Sequence, residues 1–228
     1  MNEHIFLVED DPNLGFVIKD SLGAQDFRVT HLDHGLKAKE RFQKGEFDLC
    51  LLDVMLPGMD GFEIARHIRQ EDPHIPIIFL TAKDQEEDRI NGFLLGGDDY
   101  ITKPFSIKEL ILRVRVFLRR SAIHTQSKQQ IQLGGSFFDP DNLQIEKNGN
   151  EKKLTQREAD LLHYLALRQN KLCKREEILL EIWGDDDYFL GRSLDVFVSR
   201  LRKHLESEPS VKIVNHHGVG FMLTMNQE

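Results

Sequence analysis

A chain of 228 residues with 40% hydrophobic and 30% charged residues has the composition of a folded globular protein, and length enough for two ordinary domains. No apolar run reaches the roughly 18–20 residues of a membrane span. The start Met1–Ile5 lacks a basic secretory stretch, and two cysteines, Cys50 and Cys173, are too few for a disulfide framework, so a cytoplasmic address with no membrane partner is expected. The formal net charge of −8 argues against a generally basic nucleic-acid binder: from Gln129 onward 13 Lys/Arg meet 16 Asp/Glu (−3), and the earlier 17 meet 22 (−5).

The first 120 residues alternate short apolar runs with amphipathic stretches. Strands are expected at Ile5–Val8, Phe27–Thr30, Asp48–Asp53, Ile75–Thr81 and Tyr100–Thr102. Helices are expected from Pro12 toward Leu22, then over 35–44, 62–70 and 85–95. A last helix should open at the Ser106–Glu109 capping box and end near Arg120. Five βα units of this length imply a doubly wound parallel sheet. The stretch Asp48–Gly61 organises it: a buried strand ending at Asp53, stopped by Pro57-Gly58.

In an open α/β sheet ligands bind beyond the carboxyl ends of the strands. Glu9, Asp10, Asp53, Thr81 and Lys103 all fall at that edge. Three carboxylates brought together repel unless a cation joins them. Mg²⁺, with its preference for carboxylate, water and phosphate oxygens, is the expected ion. A hydroxyl and an ammonium alongside suit an incoming phosphoryl group. Each residue also has a plainer reading: Asp53 and Thr81 as turn caps, Lys103 as a solvated loop lysine, Tyr100 as strand packing. Asp11 reads as a helix cap rather than a ligand.

The segments Leu7–Asp11, Leu52–Gly61, Leu80-Thr81-Ala82 and Asp98–Phe105 together resemble a two-component receiver domain. The resemblance implies that Asp53 is the phosphoacceptor for a sensor histidine kinase. It implies that Glu9, Asp10, Asp53 and the carbonyl of Met55 hold Mg²⁺, that Lys103 meets the phosphoryl oxygens, and that Thr81 and Tyr100 form the switch pair, the ring turning inward. Phosphatases that use a strand-end Asp typically carry a second Asp two positions on; Met55 stands there. The chain is therefore not expected to be an enzyme beyond slow self-dephosphorylation.

The resemblance extends to the OmpR/PhoB-type subfamily, whose receivers form a symmetric dimer on phosphorylation. Carried over, that pairing joins Arg89 with Glu109, Asp99 with Arg113 and Asp98 with Arg120 around Ile90, Phe93 and Leu112; a solvated charged face is the plainer reading. Leu94 and Leu112 depart from the family pattern and enlarge the apolar patch.

Residues 121–130 read as a polar linker. From 131 to 228 the period shortens: Gly134-Gly135, Asp139–Asn142 and Asn148–Asn150 punctuate small antiparallel strands. Thr155–Glu158 is a capping box, a further helix covers about 174–183, and 192–205 is amphipathic with Leu194, Val198, Leu201 and Leu205 inward. On that helix Arg192, Arg200, Arg202 and Lys203 oppose one acid, Asp195, a local +3 suited to phosphates and base edges of double-stranded DNA. A hairpin beside such a helix, around His216-His217-Gly218, is the wing of a winged helix-turn-helix.

Leu154–Glu158, Arg175–Gly184, Ser199–Lys203 and Gly218–Phe221 resemble the OmpR/PhoB effector domain, which implies DNA contacts from Arg192, Val196, Phe197, Arg200, Arg202, Lys203 and His217. Phe197 stands where a polar residue is common; it either touches a thymine methyl or packs inward. The paired histidines suggest a metal site only weakly, with no third ligand apparent. The acidic loop Asp185–Asp187 is a solvated turn or, by resemblance, a contact for RNA polymerase. The expected function is a phosphorylation-switched transcription regulator. The alternative is a DNA-binding regulator whose receiver is a phosphate-independent dimerisation module.

Overall fold

The computed structural model describes residues 2–81, 97–123, 130–183 and 188–225, with side chains for all of these but 119–123 and 188–193. The chain divides into two compact units, Met1–Thr125 and Gln126–Glu228.

In the first unit, β1 (His4–Val8), α1 (Pro12–Gly23), β2 (Arg28–Leu32), α2 (Gly35–Arg41), β3 (Leu49–Asp53), α3 (Gly61–Glu71), β4 (Ile77–Thr81), β5 (Asp99–Thr102) and α4 (Ile107–Ile123) follow in chain order. The five strands form one parallel sheet ordered β2-β1-β3-β4-β5, so strand order reverses between β1 and β3. Strands β1, β3 and β4 are buried throughout, as their unbroken apolar runs require. One face of the sheet packs Ile5, Leu7, Leu49, Leu51, Ile78 and Leu80 against Ile18 and Leu22 of α1 and Leu110, Val114 and Phe117 of α4. On the other face Phe6 meets the rings of Phe42 and Phe47 at centroid distances of 5.9 and 4.6 Å.

Most elements match the expectations from sequence, and the differences have local causes. Strand β2 lies later than expected because its register with β1 runs from His4↔Arg28 to Val8↔Leu32. Helix α2 stops at Arg41 because Phe42 is extended (φ −63°, ψ 132°) and drops its ring into the core. Asp11 is indeed a cap: its Oδ1 accepts from the amides of Asn13 and Leu14 at 2.8 and 3.1 Å, with Pro12 opening α1. The helix expected at 85–95 lies outside the described residues.

The second unit begins with a four-stranded antiparallel sheet: β6 (Ile131–Leu133), β7 (Ser136–Asp139), β8 (Gln144–Lys147) and β9 (Asn150–Lys153). The β8–β9 turn is Asn148-Gly149, both at positive φ (52° and 78°), the backbone a two-residue hairpin needs. Then come α5 (Gln156–Ala166), β10 (Cys173–Lys174), α6 (Arg175–Trp183), α7 (Tyr188–His204), β11 (Val211–His216) and β12 (Gly220–Met225). The last two strands and β10 form a sheet ordered β10-β12-β11. Helix α7 starts at Tyr188, one turn before the expected position. Three helices followed by a hairpin give the winged helix that the sequence suggested.

Candidate functional site

The reversal of strand order between β1 and β3 opens a crevice at the carboxyl edge. Glu9 leaves β1, and its amide donates to the carbonyl of Leu32 on β2 at 3.0 Å. Asp53 ends β3, and the backbone must then turn sharply into α3. Gly61 permits this: a Cβ there would come 2.1 Å from the carbonyl oxygen of Asp53. The amide of Met55 donates to Asp53 Oδ1 at 2.9 Å, which fixes the carboxylate and leaves Oδ2 to face the crevice.

Carboxylate oxygens of Glu9, Asp10 and Asp53 lie within 4.8 Å of one another. Glu9 and Asp53 are buried (0% and 4% exposed), whereas Asp10 opens to solvent. The ammonium of Lys103 lies between the two buried acids, 2.7 Å from Glu9 Oε2 and 2.6 Å from Asp53 Oδ2. Burial pushes the Glu9 carboxyl up to about 7; the Asp53 charge adds to this and the Lys103 hydrogen bond opposes it. Burial pulls the Lys103 ammonium down, but its bonds to Asp53 and Glu9 prevail and its pKa is raised. An oxygen-only donor set of clustered carboxylates fits a hard divalent cation such as Mg²⁺, which accepts one or two carboxylates together with water and phosphate.

Thr81 and Tyr100 lie on adjacent strands, β4 and β5, where Thr81 pairs with Thr102 and Phe79 with Tyr100. Thr81 is 1% exposed. The Tyr100 ring is buried too, its centroid 5.0 Å from that of Phe79. Behind the site, His31 Nε2 lies 2.9 Å from the carbonyl oxygen of Glu9.

The expected dimer face lies only partly within the described residues. Leu112 is exposed on α4, and Arg113 lies 3.1 Å from Asp99 and 3.0 Å from Glu109, all within one chain. Burial disfavours the Arg113 charge, but Asp99 and then Glu109 outweigh it and raise its pKa. Asp98 corrects the expectation. It is fully buried and turned toward the end of α3, accepting from Arg69 at 2.6 Å and from the amide of Ile77 at 2.9 Å, so it is not placed for a partner across this face. Arg89, Ile90, Phe93 and Leu94 lie outside the described residues, as does the side chain of Arg120.

In the winged helix the expected DNA contacts separate into two groups. Arg202 and Lys203 on α7 and His217 at the wing tip are exposed. Arg202 additionally donates to the carbonyl of Ile213 at 2.7 and 3.0 Å, tying α7 to β11. Phe197 is fully buried with its ring 5.5 Å from Trp183, and Val196 is 9% exposed, which corrects their assignment to base contacts. The reason is periodicity: Leu194, Phe197, Leu201 and Leu205 recur on one helical stripe, and that stripe faces the core.

Arg200 is partly buried and has a partner within the chain. It points to buried Glu158, with Nη1 3.2 Å from Oε1, while His204 Nε2 lies 3.5 Å from Oε2 of the same carboxylate. Glu158 completes the α5 capping box with Thr155, whose amide donates to it at 2.9 Å. Burial raises the Glu158 carboxyl, but His204, Arg200 and that amide together bring it below the ordinary carboxylate range. The link from Glu158 to α7 escaped the sequence reading, because a capping glutamate gives no sign of a partner 42 residues on. Arg192 lies in α7, its side chain outside the described set, and Asp185–Asp187 lie outside the described residues.

An acidic crevice at the switch point of a five-stranded parallel sheet, followed by a winged helix, defines a response regulator with a receiver domain and a DNA-binding domain. Residues 5–115 match the response regulator receiver domain family, and residues 149–223 match the transcriptional regulatory protein C-terminal family. The chain is 41% identical over 220 residues to the transcriptional regulatory protein RprY of Bacteroides fragilis (strain YCH46), covering 96% of this chain and 93% of the relative. It is similar to the structure of DrrB, an OmpR/PhoB homolog of Thermotoga maritima, at 32% identity and a TM-score of 0.53, covering 98% of this chain and 100% of that one. A mutant of RitR shares the fold at 24% identity and a TM-score of 0.75, each chain covered in full. The chain belongs to the OmpR/PhoB-type response regulators.

Proposed function

We propose that Asp53 accepts a phosphoryl group from a sensor histidine kinase and that this modification drives dimerisation and DNA binding by a regulator of transcription. The observation that carries the reading is the buried Asp53 carboxylate beside Glu9, Asp10 and Lys103 at the sheet edge. In the transfer, Oδ2 of Asp53 forms a P–O bond as the donor's P–N bond breaks, and the donor imidazole leaves. Glu9, Asp10, Asp53 and the carbonyl oxygen of Met55 would hold Mg²⁺, which supplies positive charge to the oxygens of the group in transfer. Lys103 neutralises the acceptor beforehand and meets the incoming phosphoryl oxygens. No side chain two positions after Asp53 can act as a general acid, so hydrolysis of the product is slow. Thr81 and Tyr100 relay the change to the face bearing Glu109, Leu112 and Arg113.

Exposed Arg202 and Lys203, with His217 from the wing, then meet the DNA. RNA polymerase is the expected downstream partner, and the cytoplasm the expected compartment; among the described residues no helix is long and apolar enough to cross a membrane. Incubation with a small phosphodonor and Mg²⁺ should label the wild-type chain and leave Asp53→Asn unlabelled; persistent labelling would sink the assignment.

A second reading, dimerisation independent of phosphate, draws support from the apolar surface of α4, where Leu112 and Val116 are 54% and 37% exposed. Sedimentation with and without beryllofluoride separates the two. A monomer that dimerises supports the switch, and a dimer under both conditions supports a standing module.

A further inference from the structure

The crevice that holds Glu9 and Asp10 has a back wall, and His31 forms it. This histidine occupies β2, paired with Leu7 of β1, so its ring rises on the face covered by α1. Its Nε2 lies 2.9 Å from the carbonyl oxygen of Glu9. A carbonyl oxygen only accepts, so Nε2 carries the proton and donates. The peptide so held is the one joining Glu9 to Asp10. Orientation of that peptide decides where both acidic side chains begin.

Gly15 of α1 lies against the same ring, where a Cβ would come 2.3 Å from Cε1 and 2.5 Å from Nε2. A glycine inside a helix costs roughly 1 kcal/mol relative to alanine. Here the missing side chain is what leaves room for the imidazole beside α1 while its Nε2 reaches Glu9. Two further ties complete the frame. The Glu9 amide donates to Leu32 at 3.0 Å, and the Asp11 amide reaches Glu9 Oε1 at 3.3 Å.

The turn that brings Glu9 and Asp10 to the Asp53 carboxylate is therefore fixed from β2, and the only side chain among these ties that belongs to neither the acidic turn nor the crevice is that of His31. Clustered carboxylates repel and would turn away from one another if their backbone could follow.

We propose that His31 is a positioning residue for the cation site: its Nε2–H to the Glu9 carbonyl, made possible by Gly15, holds the Glu9–Asp10 peptide so that both carboxylates converge with Asp53. This rests on the reading of Glu9, Asp10 and Asp53 as a divalent-cation site. Outer groups that orient ligands of this kind are themselves worth much of the binding.

Mn²⁺, a spin-visible divalent probe, tests it directly on the full chain by the free-ion resonance, with MgCl₂ as competitor. His31→Gln keeps an N–H near the position of Nε2, whereas His31→Asn is too short to reach the carbonyl. His31→Asn is expected to bind Mn²⁺ roughly 10-fold more weakly than wild type, and His31→Gln to stay close to wild type. A general packing role would not tell the two amides apart. Equal affinities in both variants, whether weakened or unchanged, overturn the role of the hydrogen bond. Failure of wild type to bind Mn²⁺ or Mg²⁺ at all overturns the cation-site reading, and with it this one. If His31→Asn does not fold, Gly15→Ala displaces the ring with the imidazole intact; loss of affinity there supports the role, and unchanged affinity overturns it.

Discussion

Two clusters of buried charge, one in each unit, serve opposite ends. At the receiver edge Glu9 and Asp53 share one ammonium, Lys103, with Asp10 alongside, so negative charge exceeds positive. In the winged helix Glu158 is met by the Thr155 amide, Arg200 and His204, while fully buried Arg157 donates to the carbonyl of Ile182 and lies over the Trp183 ring at 5.2 Å. The first cluster keeps an excess of negative charge that suits a cation, whereas the second is satisfied from within. Burial alone does not mark a functional site; the balance of charge left after burial does.

That contrast can be broken most severely at Glu158. Removing one partner of a buried ionic group leaves the others uncompensated, so Glu158→Ala should cost about 3–5 kcal/mol. Trp183 is the chain's single tryptophan, and its fluorescence in a urea titration reports this unit alone. An unchanged midpoint would mean that Arg200 and His204 are indifferent to Glu158. At the receiver, Gly61→Ala forces a methyl against the Asp53 carbonyl and should cost about 1–3 kcal/mol, measured by thermal melting, with slower labelling of Asp53 as a second sign.

The two units should also titrate in opposite senses. Glu9, raised to about 7 by burial, favours the fold when protonated. Its contribution is fully present below the ordinary carboxylate pKa and is lost as pH rises through about 7. Burial works against the Glu208 carboxylate, but Ser210, Lys147 and Ser136 hold its pKa down at about 2; its contribution is fully present above the ordinary value and is lost as pH falls through about 2. Comparing stability of wild type with Glu9→Gln and with Glu208→Gln across pH isolates each slope, and slopes of the same sign would dissolve the contrast.

The smallest effect belongs to Lys203. Its replacement by alanine should weaken DNA binding evenly across sequences and lower the salt slope by about 1, read by fluorescence anisotropy at several salt concentrations. A loss confined to one operator sequence would make it a base reader instead.

Much of the receiver was legible in the sequence because strand ends at a parallel sheet edge are forced together by the topology itself. Once Val8, Asp53, Thr81 and Thr102 are recognised as strand ends, the residues around them become neighbours. Phe197 was only half legible: its spacing from Leu194 and Leu201 fits the core stripe, but the resemblance set it among the DNA contacts, and only its burial decides between the two. Asp98 and Arg200 were not legible. Both are charged residues at positions that a surface or a groove would suit, and their partners, Arg69 and Glu158, lie far away in the chain.

The sequence by itself determined the order of the elements, the two units and the identity of the acidic edge, because periodicity, caps and strand-end chemistry act over short distances. Tertiary structure decided which charges remain available: Lys103 joins two acids, Asp98 and Arg200 turn inward, Tyr100 is buried, and His31 reaches the Glu9 carbonyl. A charged side chain takes its role from whichever opposite charge or dipole lies within about 3 Å, and only the packing of distant segments sets that distance.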